Sequence, residues 1–352
     1  MSNENPLQHR ISYKALPKIE LHRHLEGSLR VSTMLEIARL YQLDLPYTDI
    51  DQFRSLVQVM DGEPFTYQNF LSKFMSLRHF FQSEEVIKRI TREAITDAAA
   101  DNVRYMELRF TPVALSRAQN YPLGKVMDWV IETTRETENN LDIKVNLIAS
   151  VNRHESVGLA EEVAQLAADR IPQGIIGMDL AGSEADFPGE EFAGVFKEAK
   201  QAGLGISIHA GEWGGPESID LAVNTLSAER IGHGVRVVED PNLVSQMREL
   251  QIPFEVCPTS NYQSGVTEKL ESHPLPHMLE SGLLVTVNTD DPGISQINLS
   301  NEYKLCCESF GLSKNRLKHT ILNAVRSAFL SKEEKILLLQ SMELELNEKI
   351  TT

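Results

Sequence analysis

Eight short apolar runs recur along the chain, each rich in Val, Ile and Leu and each closed by polar, Gly or Pro residues. They are Lys18–His24, Val103–Phe110, Lys144–Val151, Ile175–Ala181, Gly205–Ala210, Glu229–Gly234, Ile252–Cys257 and Leu284–Asp290. Continuous apolar strands of this kind belong to parallel sheets covered on both faces. Segments of helical period lie between most of them: Ser83–Ala100, Pro122–Asn139, Leu159–Ala168, Glu190–Ala202, Pro216–Leu226 and Pro241–Leu250. Strand and helix alternating eight times predicts an α/β fold, a (β/α)8 barrel of the TIM type.

Two stretches exceed that minimum. About eighty residues separate the first two strands, far more than a usual crossover. They predict a helical insertion after strand 1, with a helix over Thr33–Leu43. The aromatic stretch Phe53–Phe81 lies within it, and Phe65, Phe70 and Phe74 either cover a pocket at the barrel mouth or form the insertion's own core. Beyond Asp291 the chain predicts extra C-terminal helices. Ser331-Lys332-Glu333-Glu334 matches a capping box, and Ile336–Ile350 keeps helical period. With no internal repeat and no Pro/Ser-rich linker, residues 1–352 are expected to form a single domain with its core at about 16–340.

Composition narrows the setting. Hydrophobic residues make up 41 % of the chain, enough for a sizeable core. Lys plus Arg number 34 against 50 Asp plus Glu, a net charge of −16, which argues against nucleic-acid or anionic-membrane partners. Cys257, Cys306 and Cys307 offer no disulfide framework. The start MSNENPLQHR has no signal-peptide core, and no run reaches membrane-span length. The acidic balance names no substrate; a soluble, reducing, cytoplasmic setting is expected.

The chemistry gathers where such barrels keep their active sites, at the C-terminal strand ends. His22 and His24 are two residues apart on strand 1, so both rings face one side. Strand 5 ends in His209 with Glu212 just beyond, strand 6 in His233, and strand 8 in Asp290 and Asp291. Three imidazoles and one carboxylate (His22, His24, His209 and Asp290) suit a zinc-class ion with a position left for water. His233 is then free to orient or deprotonate that water, Glu212 to protonate the substrate, and Asp291 to face the substrate. Strand 4 carries no Lys to bridge two metals, which favours one ion. Cys257-Pro258 has no partner cysteine, which excludes the Pro-Cys-x-x-Cys deaminases. His154, His273 and His277 fall in loop or helix-edge contexts and read as structural, as does Cys257 as a buried small hydrophobe.

These residues carry a likeness. LHRHLEGS (Leu21–Ser28), ELRFTP (Glu107–Pro112), DLAGSE (Asp179–Glu184), HAGE (His209–Glu212), RIGHG (Arg230–Gly234), CPTSN (Cys257–Asn261) and NTDDP (Asn288–Pro292) resemble the adenosine/adenine deaminase family over roughly residues 16–340. The resemblance implies one Zn2+ held by His22, His24, His209 and Asp290, with Glu212 protonating purine N1 and His233 orienting the attacking hydroxide. It also implies substrate contacts from Asp291 to N7, from the Gly182 backbone to N3, and from His24 and Glu26. The implied reaction converts adenosine, and 2′-deoxyadenosine, to inosine-type product and ammonia. Glu26 departs from the Asp usual in adenosine deaminases, and Glu there is common in relatives acting on adenine or modified nucleosides. Gly232 stands where adenine deaminases tend to have Asp. Adenosine is therefore the expected substrate, with adenine or another 6-aminopurine nucleoside as the alternative and a non-catalytic nucleoside-binding protein as the remote one.

Overall fold

The computed structural model describes residues 12–351. The stretch before Ser12, where no signal-peptide core is expected, lies outside the described residues. Eight parallel strands run in sequence order: β1 (Lys18–His24), β2 (Val103–Phe110), β3 (Lys144–Asn152), β4 (Ile175–Ala181), β5 (Gly205–Ala210), β6 (Arg230–His233), β7 (Pro253–Val256) and β8 (Leu284–Val287). This is the expected (β/α)8 barrel. No continuous ladder joins β8 to β1. The ring closes through a parallel bridge between Arg23 and Asp290, in which Asp290 N donates to His22 O (2.8 Å) and His24 N to Asp290 O (2.9 Å). The expected strands 7 and 8 end early, because Pro258 opens a helix (Pro258–Gln263) and residues 288–290 leave the β8–β7 ladder.

Outward residues of the strands, such as Ile206, Ile208, Met178 and Leu180, are buried under the helices. Inside, the barrel is not the apolar stack that the runs suggest. The Glu255 carboxylate of β7 reaches His22 of β1 (2.8 Å), Arg109 of β2 (2.7 Å), Ser207 of β5 (3.2 Å) and Arg230 of β6 (2.5 Å). A side chain touching four other strands lies within the ring. Arg230 also pairs with Glu107 at 2.6 Å, and Arg109 with Asp179 at 3.3 Å, all nearly solvent-free. Removing one partner of such a buried pair strands a charge, typically at about 3–5 kcal/mol.

The insertion forms helices at Val31–Leu40, Ile50–Val57, Tyr67–Leu77 and Glu84–Ala100, the last capped by Ser83 Oγ accepting from Val86 N. The C-terminal capping box is present: Glu334 N donates to Ser331 Oγ (3.2 Å) and Ser331 N to Glu334 Oε2 (2.9 Å), opening the helix Lys332–Thr351. Among the described residues no helix is long and apolar enough to cross a membrane.

Candidate active site

A cavity of about 400 Å3 opens at the C-terminal strand ends. His24, Glu26, Gly182, His209, Glu212, His233, Asp290 and Asp291 line it, and His22 lies fully buried beside them. Every residue the sequence nominates for the site is thus brought together. The insertion roofs the cavity with Phe70, Phe74, Leu77 and Phe81, whereas Phe65 packs on Tyr262 with ring centroids 4.9 Å apart. Two of the three questioned aromatics therefore cover the pocket. His154 also lines its edge, nearer the site than its loop context suggests.

Local backbone puts the donors in place. Alternation along β1 aims His22 and His24 to one side, and His209 is the next-to-last residue of β5. Asp290 lies beyond β8 with φ +64°, a left-handed conformation uncommon for a non-glycine residue, and the closing bridge to β1 holds it there. His233 adopts φ +59° at the end of β6. One ligand atom from each of His22, His24, His209 and Asp290 falls within 4.8 Å of the others. His22, His233, Cys257 and Asp290 form a second group of that size, but the Cys257 thiol donates to Glu255 O at 3.4 Å.

The proton positions discriminate further. Glu255 Oε2 accepts from His22 Nδ1 (2.8 Å) and Asp179 Oδ1 from His209 Nδ1 (2.9 Å). Each carboxylate fixes the proton on Nδ1 and leaves a lone pair on Nε2. His22 Nε2 then sits 3.3 Å from Asp290 Oδ1 without a hydrogen-bond partner, and His209 Nε2 sits 3.3 Å from His24 Nε2. A His22 lone pair facing the Asp290 carboxylate in a dry site is repelled unless a cation lies between them. The donor set fits a divalent metal ion.

The carboxyls of the cavity are driven apart. Burial, reinforced by Asp290, Glu184 and Asp291, pushes Glu212 well above the usual carboxylate range. Burial likewise raises Asp291, with the charges of Asp290 and Glu26 adding to it. For Asp290 burial is outweighed by His22 at 3.3 Å and by the other imidazoles around it, so it is held low. Burial lifts Glu26 to about 7; its Oε1 accepts from Thr111 N at 2.6 Å and its Oε2 has no partner. Environments that separate carboxyl groups in this way assign one to hold charge and others to hold protons.

Several residues of the site escape the sequence reading. Glu184 accepts from the backbone of Gly211 (2.6 Å), Glu212 (3.0 Å), Trp213 (2.9 Å) and Gly214 (2.9 Å), and so shapes the loop that carries Glu212. Ser260 Oγ donates to Asp290 Oδ2 at 2.7 Å. Asp179, Glu184, Arg109 and Ser260 stand inside motifs that carry the family likeness, which was their only signal. Glycines clear the way: a Cβ on Gly27 would lie 1.7 Å from Asp291 Oδ1, and one on Gly232 would lie 2.9 Å from His22 Cε1.

Comparison with known proteins decides the family. The adenosine deaminase family profile matches residues 17–344. The chain belongs to the adenosine deaminase family. An adenosine deaminase of Klebsiella pneumoniae (strain 342) is 39 % identical over 327 residues, covering 93 % of this chain and 97 % of that protein. The adenine deaminase of Arthrobacter aurescens shares the fold with a TM-score of 0.87 and 30 % identity, covering 96 % of this chain and all of the other. An Arabidopsis ADAL structure complexed with IMP aligns with a TM-score of 0.84 and 28 % identity over 96 % and 98 % of the two chains. As a member of the adenosine deaminase family the protein is a hydrolase, and hydrolytic deamination is the reaction of the family.

Proposed function

We propose that the protein is a zinc-dependent adenosine deaminase, converting adenosine and 2′-deoxyadenosine to the corresponding inosine and ammonia. One Zn2+ would be held by His22, His24, His209 and Asp290, and when bound it would lower the pKa of a water to about 7, making a nucleophile available at neutral pH. The observation that carries the reading is the meeting in one cavity of that donor set with two buried carboxyls, Glu212 and Asp291, whose environment favours the protonated form.

Glu212 hands its proton to purine N1, so the ring can accept the electron pair when water adds at C6. His233, with Nε2 3.6 Å from Glu212 Oε2, orients the attacking oxygen. The C6–N bond then breaks with its electron pair on nitrogen as C6=O forms. Of the two protons of the attacking water, one goes to the departing nitrogen, which leaves as ammonia, and the other returns to the Glu212 carboxylate. Asp291 serves N7: that ring nitrogen only accepts, so its partner must carry a proton, and burial beside Asp290 and Glu26 favours the protonated Asp291 carboxyl. The Gly182 backbone faces N3. The unpartnered Oε2 of Glu26 is available to a sugar hydroxyl.

Adenosine is favoured over adenine by the 39 % identical relatives named adenosine deaminase and by Gly232, whose place beside His22 has no room for a side chain. The alternative, adenine or another 6-aminopurine nucleoside, draws on Glu26 and on the adenine deaminase neighbour. Incubation of the zinc-loaded protein with adenosine in H2(18)O should give inosine and ammonia in equal amounts, with the label at O6. Absence of turnover on any 6-aminopurine would leave only a nucleoside-binding protein.

A further inference from the structure

Behind His233, away from the metal cluster, runs a chain of hydrogen bonds that neither the ligand set nor the reaction described above uses. It starts at His273, which is 4 % exposed and stacked on Phe310 with ring centroids 5.3 Å apart. The backbone N–H of Leu275 donates to His273 Nδ1 at 3.0 Å. A backbone amide cannot reverse its role, so a neutral His273 must carry its proton on Nε2. Burial keeps the ring neutral, pulling its pKa down to about 3.

The next link follows from the first. His273 Nε2 lies 3.3 Å from Asn261 Oδ1, and a protonated nitrogen needs an acceptor there. That requirement turns the Asn261 amide so that its oxygen faces His273 and its nitrogen faces His233. Asn261 Nδ2 lies 3.0 Å from His233 Nδ1 and donates to it. His233 Nδ1 is thus an acceptor, and the ring proton belongs on Nε2, which lies 3.6 Å from Glu212 Oε2 and 3.8 Å from Asp290 Oδ2.

We propose that His273 is a positioning residue for the deamination: through Asn261 it holds His233 as an imidazole with its Nε2–H facing the cavity. Two consequences follow. An Nε2 that carries a proton offers no lone pair, so His233 stays out of the coordination shell although it lies within ligand distance of His22, Cys257 and Asp290. The same nitrogen meets the attacking oxygen as a hydrogen-bond donor, which chooses orientation over proton abstraction. The inference rests on the deaminase reading and names a residue that loop context alone marks as structural.

The direct test is 15N NMR of the zinc-loaded protein with labelled histidine, the His233 signals being identified by their loss in His233→Gln. The expected spectrum shows His233 Nδ1 unprotonated and Nε2 protonated; a proton on Nδ1 overturns the proposal. His273→Leu should lower kcat for adenosine by about 10–100-fold with zinc content unchanged, and KM should stay within about twofold. His273→Gln, whose Nε2 can take the same donor place, should recover most of that loss. Equal losses in the Leu and Gln variants, or full kcat in the Leu variant, would contradict it. Should the Leu variant fail to fold, Asn261→Asp gives a second reading, since a carboxylate accepts from both rings. His233 should then move its proton to Nδ1, and an unchanged Nε2–H would overturn the relay. The NMR measurement needs no substrate, so it stands even if the deaminase reading fails in the turnover assay.

Discussion

Glu212→Gln should fold, keep its metal and lose about 10²–10⁴ in kcat/KM for adenosine, a loss of roughly 3–5 kcal/mol in transition-state stabilisation. Gln matches the shape of the carboxyl but has no proton to give to N1. The backbone that places it is held by Glu184, not by its own side chain, so the loop should survive the change. The pH profile gives an independent check. The Glu212 proton is present below its raised folded pKa and lost as pH rises through it, so wild-type activity should decline on the alkaline side. Residual activity in the variant should lack that limb. Because the folded chain holds this proton to higher pH than the unfolded chain, stability falls as pH rises above the usual carboxylate range. The variant should therefore melt higher than the wild type at neutral pH, as expected where a site trades stability for function. Near-full activity in Glu212→Gln would remove the acid from the account.

Stripping the metal should have the second large effect. A strong chelator should abolish turnover, zinc should restore it, and metal analysis should give about one ion per chain. The melting temperature should fall as well. An ion bound only by the folded chain at a hundred times its Kd contributes about 2.7 kcal/mol. Removing it leaves the Asp290 carboxylate and the His22 Nε2 lone pair facing each other at 3.3 Å. Full activity in the chelated protein, or two tightly bound ions, would contradict the single-ion site.

The fold was legible because parallel strands are buried on both faces and because the helical segments between them keep a clean period. The ends of β7 and β8 were not, since strand propensity cannot see that Pro258 starts a helix or that Asp290 pairs across the closure of the ring. The barrel's polar interior was hidden for a related reason. Glu255, Arg230 and Arg109 sit singly inside runs whose average is apolar, and only a closed ring brings them to one another. The metal donors could be nominated from His-x-His alternation and from their strand-end places. Their partners could not, because the carboxylate on His22 comes from Glu255, 233 positions away in sequence. Asn261 and His273 show the limit most clearly. Their connection to His233 depends on the direction of one backbone N–H, which no spacing of residues reveals.

Substrate identity depends on which 6-aminopurine fills the cavity beside Glu26. The decisive measurement is kcat/KM for adenosine, 2′-deoxyadenosine, adenine and AMP, taken side by side on the zinc-loaded protein. Adenosine and 2′-deoxyadenosine should stand well above both adenine and AMP. A higher value for adenine, or for AMP, would contradict the adenosine reading.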